Sequence, residues 1–262
     1  MENKKLALIT GASSGIGRDI ALQLASKNYN IIAVARSKDK LEDLKKRIED
    51  HGEVKVDIYI LDIVNREGVY KLYEYVKEKY GNIDILINNA GFGKCGNFVD
   101  IELEEEIKMV DTNITALHML TKLFLKDMVK KDYGYILNVA SIAGFFPGPL
   151  MATYYATKSY VITLTESIRY ELKKKKSKVV ISALCPGPVD TNFNKVANVK
   201  FSLKSQNSKK VAEIAIKKLF KNKALIFTNK FVYMARVCSK ILPDNLMAKF
   251  CYNSQKRKIY KK

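Results

Sequence analysis

The sequence predicts an α/β domain in which a doubly wound parallel sheet of about seven strands is flanked by helices. Three observations carry that prediction. Short apolar runs of strand length alternate with longer segments whose apolar residues recur at helical spacing. The connections are short, and no Pro/Gly-rich linker or internal repeat interrupts the alternation. The first strand runs directly into a glycine-rich turn, "TGASSGIG", that opens the first helix. Such alternation specifies parallel strands covered on both faces, and right-handed crossovers leave ligand space at the strands' carboxyl ends.

In order, "KLALIT" (5–10) reads as a buried strand and a helix begins near Gly15. "YNIIAVAR" (29–36) is the second strand; the helix over 37–52 aligns Leu41, Leu44 and Ile48, with Gly52 as its stop. "VKVDIYILDI" (54–63) is a strand, Arg66–Tyr80 a helix and "IDILINNAG" (83–91) a strand. One long helix is expected from Glu104 to Lys131, then the strand "YGYILNVAS" (133–141) and a helix from Ala152 to Lys175. "KVVISALCPG" (178–187), the helix "KKVAEIAIKKLFKN" (209–222) and the short strand "ALIF" (224–227) complete the pattern.

A chain of 262 residues, 47% of them hydrophobic, suits one large domain. No apolar run reaches the length of a membrane span, and the opening "MENKKLALIT" is too short in its apolar part for a signal peptide, so a cytoplasmic location is expected. The four cysteines lack CxxC spacing and only two histidines are present, which argues against a zinc site. Charge is uneven. Of the net +19, residues 204–262 carry 16 Lys and Arg against Glu213 and Asp244, a net +14, leaving +5 for the other 203 residues. A basic surface of this kind meets an anionic membrane, an acidic protein or nucleic acid, or is simply a solvated lysine-rich face.

"MATYYATKSY" (151–160) holds the chemistry. On one helix Tyr154 and Lys158 stand at i, i+4, and Tyr155 and Lys158 at i, i+3, so spacing alone lets either phenol sit beside the ammonium. A free phenol has a pKa of ~10, and bringing it to ~7 takes roughly 4 kcal/mol of preferential phenolate stabilisation, which a nearby cation supplies. Such a pair suits proton transfer to or from a carbonyl or alcohol oxygen.

Taken together, "TGASSGIG", "LDI", "NNAG", the Asn of "DTNITA", the Ser of "NVASIAG", Y-x-x-x-K and "PGPVDT" stand in one order at matching intervals. In this the chain resembles the short-chain dehydrogenases/reductases over roughly its first 230 residues, which implies a Rossmann fold, a nicotinamide cofactor and oxidoreductase activity. The family register selects Tyr154 as acid/base with Lys158 as its partner and nicotinamide-ribose ligand, and makes Tyr155 a wall residue. Ser141, 13 residues upstream of Tyr154, is implied to hydrogen-bond the substrate oxygen, and Asn113 to anchor a proton-relay water through neighbouring backbone.

The resemblance assigns the cofactor's pyrophosphate to Gly11, Ser13, Ser14, Gly15, Ile16 and Gly17, where glycines allow close backbone approach and a helix N-terminus favours anions. Asp62 and Ile63 fall near the adenine, and Asn88, Ala90 and Gly91 along the sugar. Pro186, Gly187, Val189 and Thr191 fall beside the nicotinamide. At the end of the second strand stand Arg36 and Ser37, with no acid before Asp39. A basic residue there neutralises a ribose 2′-phosphate, so NADP(H) is expected over NAD(H).

Residues 192–208 are expected to form a substrate lid, with Phe193, Val196, Val199, Phe201 and Leu203 as its apolar contributors. With "FFPGPLM" after Ser141, this suits a hydrophobic carbonyl or alcohol, such as an acyl chain or a lipid. Residues 1–229 are read as the NADP(H)-binding, catalytic and lid-bearing domain, and 230–262 as a basic amphipathic extension that packs on the cleft or a sister subunit, or lies on a membrane. A small-molecule substrate, a homodimer or homotetramer and no nucleic-acid partner are expected. The alternatives are a 3-oxoacyl-acyl-carrier-protein reductase, whose acidic carrier suits a basic face, and a non-catalytic NADP(H)-sensing protein.

Overall fold

The computed structural model describes residues 5–191, 193 and 205–259. Its central sheet is built from strands that lose nearly all contact with water. Leu6–Thr10 (β1), Ile85–Asn88 (β4) and Val180–Cys185 (β6) are buried at every position. Asn30–Ala35 (β2) and Tyr135–Val139 (β5) are buried beyond their first residue. Val56–Ile60 (β3) and Leu225–Phe227 (β9) are the more open edge strands. The order is β3-β2-β1-β4-β5-β6-β9, and every pairing is parallel. Successive strands step one way from β1 to β3 and the other way from β4 onward, so the crevice opens between β1 and β4.

Helices cover both faces because parallel strands need crossovers. On one face Gly15–Ala25 (α1), Lys38–Glu49 (α2) and Ser208–Phe220 (α7) bury Ile20, Leu24, Leu41, Leu44, Val211 and Ile216. On the other, Arg66–Tyr80 (α3), Leu117–Lys131 (α5) and Ala152–Lys174 (α6) bury Leu72, Val76, Leu120, Phe124 and Leu172. Asn65 caps α3, accepting from the Gly68 N–H at 2.9 Å, and Asn229 caps the next helix by accepting from the Val232 N–H at 2.9 Å. That helix, Lys230–Ile241 (α8), and Asp244–Ile259 (α9) are separated at Pro243, as the apolar spacing of this region implies.

Three features depart from the sequence expectation. The helix expected over 104–131 is in three parts: Leu103–Val110 (α4), a π-helical turn at Asp111–Ala116, and α5. Polar Asp111, Thr112 and Asn113 widen the helix here, and the Asn113 amide bonds outside it, a local effect that hydrophobic periodicity does not report. The strand expected over 54–63 stops at Ile60, so the "LDI" residues lie beyond its carboxyl end. Two-residue strands Val189–Asp190 (β7), just before the expected lid, and Gln206–Asn207 (β8), within its last residues, pair in parallel. Residues 192 and 194–204 of that lid, with Val196, Val199, Phe201 and Leu203, lie outside the described residues.

Phe124 is 2% exposed and stacks edge-on against Tyr73 at 5.2 Å. Phe124→Ala is expected to cost about 3–5 kcal/mol. Urea unfolding should show a lower midpoint at unchanged slope.

Candidate active site

The site grows from the carboxyl ends of β1, β4, β5 and β6. At β1, Gly11 (φ 65°) and Gly15 (φ 54°) adopt left-handed backbone that side chains disfavour, turning the chain into α1. α1 has no acidic residue in its first turn, and Ser14 at its N-cap makes no side-chain cap bond, so the amide dipoles face the crevice uncompensated. Gly17 stands behind this turn rather than on it: an added Cβ there would collide with the Gly11 carbonyl and the Asn89 amide. Asn89 is the residue the sequence reading passed over. Its Nδ2 donates to the carbonyls of Thr10 (3.0 Å) and Gly11 (3.2 Å), so it locks the glycine turn onto β4.

A cavity of ≈ 580 Å³ runs from this turn to the carboxyl end of β6. Gly11, Ser13, Ser14, Gly15 and Ile16 line one end, with Arg36, Ser37, Asp62 and Ile63 beyond them. Arg36 Nη1 lies 3.6 Å from Asp62 Oδ2, an exposed pair at the rim. Ala90 and Gly91 form the middle, and Pro186, Gly187, Val189 and Thr191 the opposite wall. Of the sequence-derived set, Gly17, Asn88 and Asn113 do not line the cavity. Asn88 is buried, its Nδ2 donating to Thr121 Oγ1 (2.9 Å) and Asn138 Oδ1 (2.8 Å), whereas half-buried Asn89, the first residue past β4, lines the crevice.

At the far end Ser141, Tyr154 and Lys158 converge. Ser141 follows β5 and caps the 3-10 turn Ile142–Phe145, its Oγ accepting from the Ala143 N–H at 3.1 Å. Tyr154 and Lys158 are one turn apart on α6, both buried, with Lys158 Nζ 5.7 Å from the Tyr154 ring centre. Lys158 Nζ donates to the Val139 carbonyl at 2.9 Å, which fastens α6 to β5. Burial pushes the Tyr154 phenol up to about 12, opposed by a hydrogen bond from the Ser141 hydroxyl. Burial pulls the Lys158 ammonium down to about 8.

Asn113 stands behind this group, with Thr112 on the wall in its place. Its Oδ1 accepts from the Phe92 N–H (3.0 Å), and its Nδ2 donates to the Phe92 carbonyl (2.9 Å) and to Thr157 Oγ1 (3.0 Å). It therefore pins the π-turn to the "NNAG" loop and to α6. Phe193 stacks on Tyr154 at 5.3 Å. Burial also pushes the Cys185 thiol up, which leaves it inert as a nucleophile. Among the described residues no group of His, Cys, Asp or Glu has the arrangement of a metal site.

The last wall comes from the chain after residue 229. Phe231 of α8 and Phe250, Cys251, Ser254 and Gln255 of α9 line the cavity near Tyr155. Gln255 Nε2 donates to the Tyr155 hydroxyl at 2.8 Å, and Arg236 lies over the Phe145 ring at 5.0 Å with Glu166 at 4.0 Å. Of the placements open to the tail, packing over the cleft is realised. The apolar spacing of Phe231, Met234, Cys238 and Ile241 predicts an amphipathic helix but not this placement, and the residues that hold it are Val232, Met247 and Cys251, all buried.

The short chain dehydrogenase family matches residues 5–200 of this sequence. The chain belongs to that family. Among curated short-chain dehydrogenases, it is 36% identical over 187 residues to an uncharacterized oxidoreductase of Staphylococcus saprophyticus (71% of this chain, 79% of that one). It is 32% identical over 192 residues to a 3-oxoacyl-[acyl-carrier-protein] reductase of Haemophilus influenzae (73% and 77%). In structure it is similar to a short-chain dehydrogenase from Sphingobium yanoikuyae in complex with NADPH, with a TM-score of 0.82 at 27% identity, covering 93% of this chain and 95% of that one. As a short-chain dehydrogenase the protein is an oxidoreductase by family, and the glycine turn, open helix N-terminus and elongated cavity fit a dinucleotide.

Lys158 carries a pH signature. Its folded pKa of about 8 lies below the ordinary 10.5, so below pH 8 folding must bury a charge, and between about 8 and 10.5 only the unfolded chain holds that proton. Stability from this group therefore rises across that window. Lys158→Met is expected to melt higher than the wild type at pH 7, by roughly 2–4 °C per kcal/mol relieved. Melting curves from pH 7 to 10 should show the gap closing.

Proposed function

We propose that this short-chain dehydrogenase is an NADP(H)-dependent oxidoreductase acting on a hydrophobic carbonyl or the corresponding secondary alcohol. The observation that carries this reading is the convergence of Ser141, Tyr154 and Lys158 at one end of a cavity whose other end is a glycine turn and Arg36. When bound, the nicotinamide cofactor supplies or takes up the hydride. The Tyr154 hydroxyl donates its proton to the carbonyl oxygen in reduction and accepts it from the alcohol in oxidation. Ser141 Oγ hydrogen-bonds the same oxygen and holds it in place. Lys158, its ammonium fixed to the Val139 carbonyl, provides the positive charge that favours phenolate and donates to the cofactor's ribose. Asn113 acts through position: bonded to Phe92 and Thr157, it holds the π-turn, whose backbone would anchor a proton-relay water.

Arg36 and Ser37 at the rim support NADP(H) over NAD(H), because the exposed guanidinium, paired among the described residues with Asp62 at 3.6 Å, can meet a 2′-phosphate. Phe146, Met151, Phe193, Phe231 and Phe250 on the substrate side support an apolar substrate. A 3-oxoacyl-acyl-carrier-protein substrate is the second reading, favoured by the similarity to the Haemophilus influenzae enzyme and by the basic final quarter of the chain. A pure cofactor sensor has no use for the Ser141–Tyr154 hydrogen bond or the buried ammonium. Residues 1–229 then form the catalytic unit and 230–262 the extension at its substrate end, with a homodimer through the helical stretches 104–131 and 152–175 as part of the same reading.

Tyr154→Phe is expected to lower kcat by about 10²–10⁴-fold while leaving NADPH binding intact. Cofactor absorbance against long-chain aldehydes, 3-oxoacyl thioesters and ketosteroids measures this, and full activity in the variant would overturn the assignment. Arg36→Glu should weaken NADPH binding by about 10–100-fold and leave NADH little changed, read by calorimetric titration. Equal losses for both cofactors would remove Arg36 from the 2′-phosphate site.

A further inference from the structure

The fold accounts for only one side of α8 and α9. Val232, Met247, Cys251 and Gln255 are buried and hold the two helices against the domain. Their outer side is apolar. Of the 17 large apolar or tyrosine side chains exposed among the described residues, eight lie between Phe231 and Tyr252. Phe231, Met234 and Ile241 fall within a quarter-turn on α8, and Leu246 and Phe250 follow at i, i+4 on α9. Ile241 is 75% exposed and Phe250 68%.

Around this stripe the charge is predominantly positive, with Asp244 as the one acid of the segment. Lys230, Lys240, Lys249 and Lys256 are all exposed. Residues 230–262 hold nine Lys and Arg against Asp244 alone, a net +8. Long lysine stems reach outward from an apolar surface while their ammonium groups stay wet, which is how an amphipathic helix seats itself in a lipid headgroup layer. A continuous apolar stripe flanked by exposed lysines matches anionic headgroups in both respects. The stripe is also continuous with the interior, because Phe231 and Phe250 line the cavity as well as the surface.

We propose that the outer faces of α8 and α9 dock on an anionic lipid bilayer, with the substrate mouth at Phe231 and Phe250 turned toward the membrane. An apolar carbonyl then passes between bilayer and cavity without crossing water. The docking stands on the surface alone; the substrate route rests on the oxidoreductase reading above.

The chain contains no tryptophan, so a single introduced indole reports its own surroundings. Ile241→Trp should blue-shift and be quenched by brominated acyl chains in phosphatidylglycerol-containing vesicles. It should not respond to phosphatidylcholine alone. Tyr170→Trp, exposed on α6, is the control and should stay unquenched. Co-sedimentation with the anionic vesicles should fall at least about tenfold in the double variant Ile241→Asp, Leu246→Asp, and also at 1 M salt, where the screening length is ~3 Å. Neither of those residues lines the cavity, so turnover of a small water-miscible ketone should be unchanged. The proposal is overturned if Ile241→Trp ignores anionic vesicles, if the double variant co-sediments as wild type does, or if it instead converts a sedimenting dimer to monomer, which would make the face a contact between copies. Vesicle binding is read without turnover, so its failure is separate from failure of the catalytic reading.

Discussion

The architecture depends on a topological constraint: parallel strands are joined by crossovers, and here the crossovers leave β1 and β4 in opposite directions. No helix can cover the gap above both strands, so the crevice is left open by chain connectivity rather than carved by side chains. What the side chains do is line it. Thr10 and Gly11 at one lip and Asn89, Ala90 and Gly91 at the other are tied together by the Asn89 amide, which bonds both the Thr10 and Gly11 carbonyls. The Thr10 hydroxyl adds to this by accepting from the N–H groups of Asn89 (3.0 Å) and Ala90 (3.1 Å). The crevice is therefore rigid at the point where a dinucleotide would lie.

The chemical end is built on a different principle, the cost of burying charge. An ammonium at Lys158 is tolerated because the Val139 carbonyl accepts from it, yet burial still draws its pKa down to about 8 and pushes the neighbouring phenol up to about 12. In the protein alone, then, the pair is poised against ionisation of Tyr154. Positive charge brought into the cavity would shift the phenol downward, so occupancy of the site and acidity of the tyrosine are linked. Ser141 already favours the phenolate from its place after β5, which makes it part of the same electrostatic balance.

Much of this was legible in the residues. The sheet was visible because strands buried on both faces are continuous apolar runs, and the helices because Leu41, Leu44 and Ile48 or Val69, Leu72 and Val76 repeat at helical spacing. Spacing could not separate Tyr154 from Tyr155, since both can reach Lys158; only the family register did. Of the two asparagines in "NNAG", Asn88 bonds to Thr121 and Asn138 while Asn89 meets the crevice, and the pattern alone does not say which asparagine does so. The π-turn was hidden because Asn113 bonds to Phe92, a tertiary contact without local signature. The place of the tail was equally tertiary: Gln255 meets Tyr155 across 100 residues of chain.

That last contact divides the cavity by origin. Its glycine-turn side and the Ser141, Tyr154 and Lys158 group are drawn from the sheet, the loops after its strands and α6, while part of the wall beside Tyr155 comes from two helices appended after β9. Drift in those helices can reshape which molecule fits without disturbing the sheet, the glycine turn or the proton-transfer group. Under the proposed function, part of the selectivity is thus separable from chemistry: one short appended segment can be exchanged while Phe146, Met151 and Phe193 keep their places in the wall.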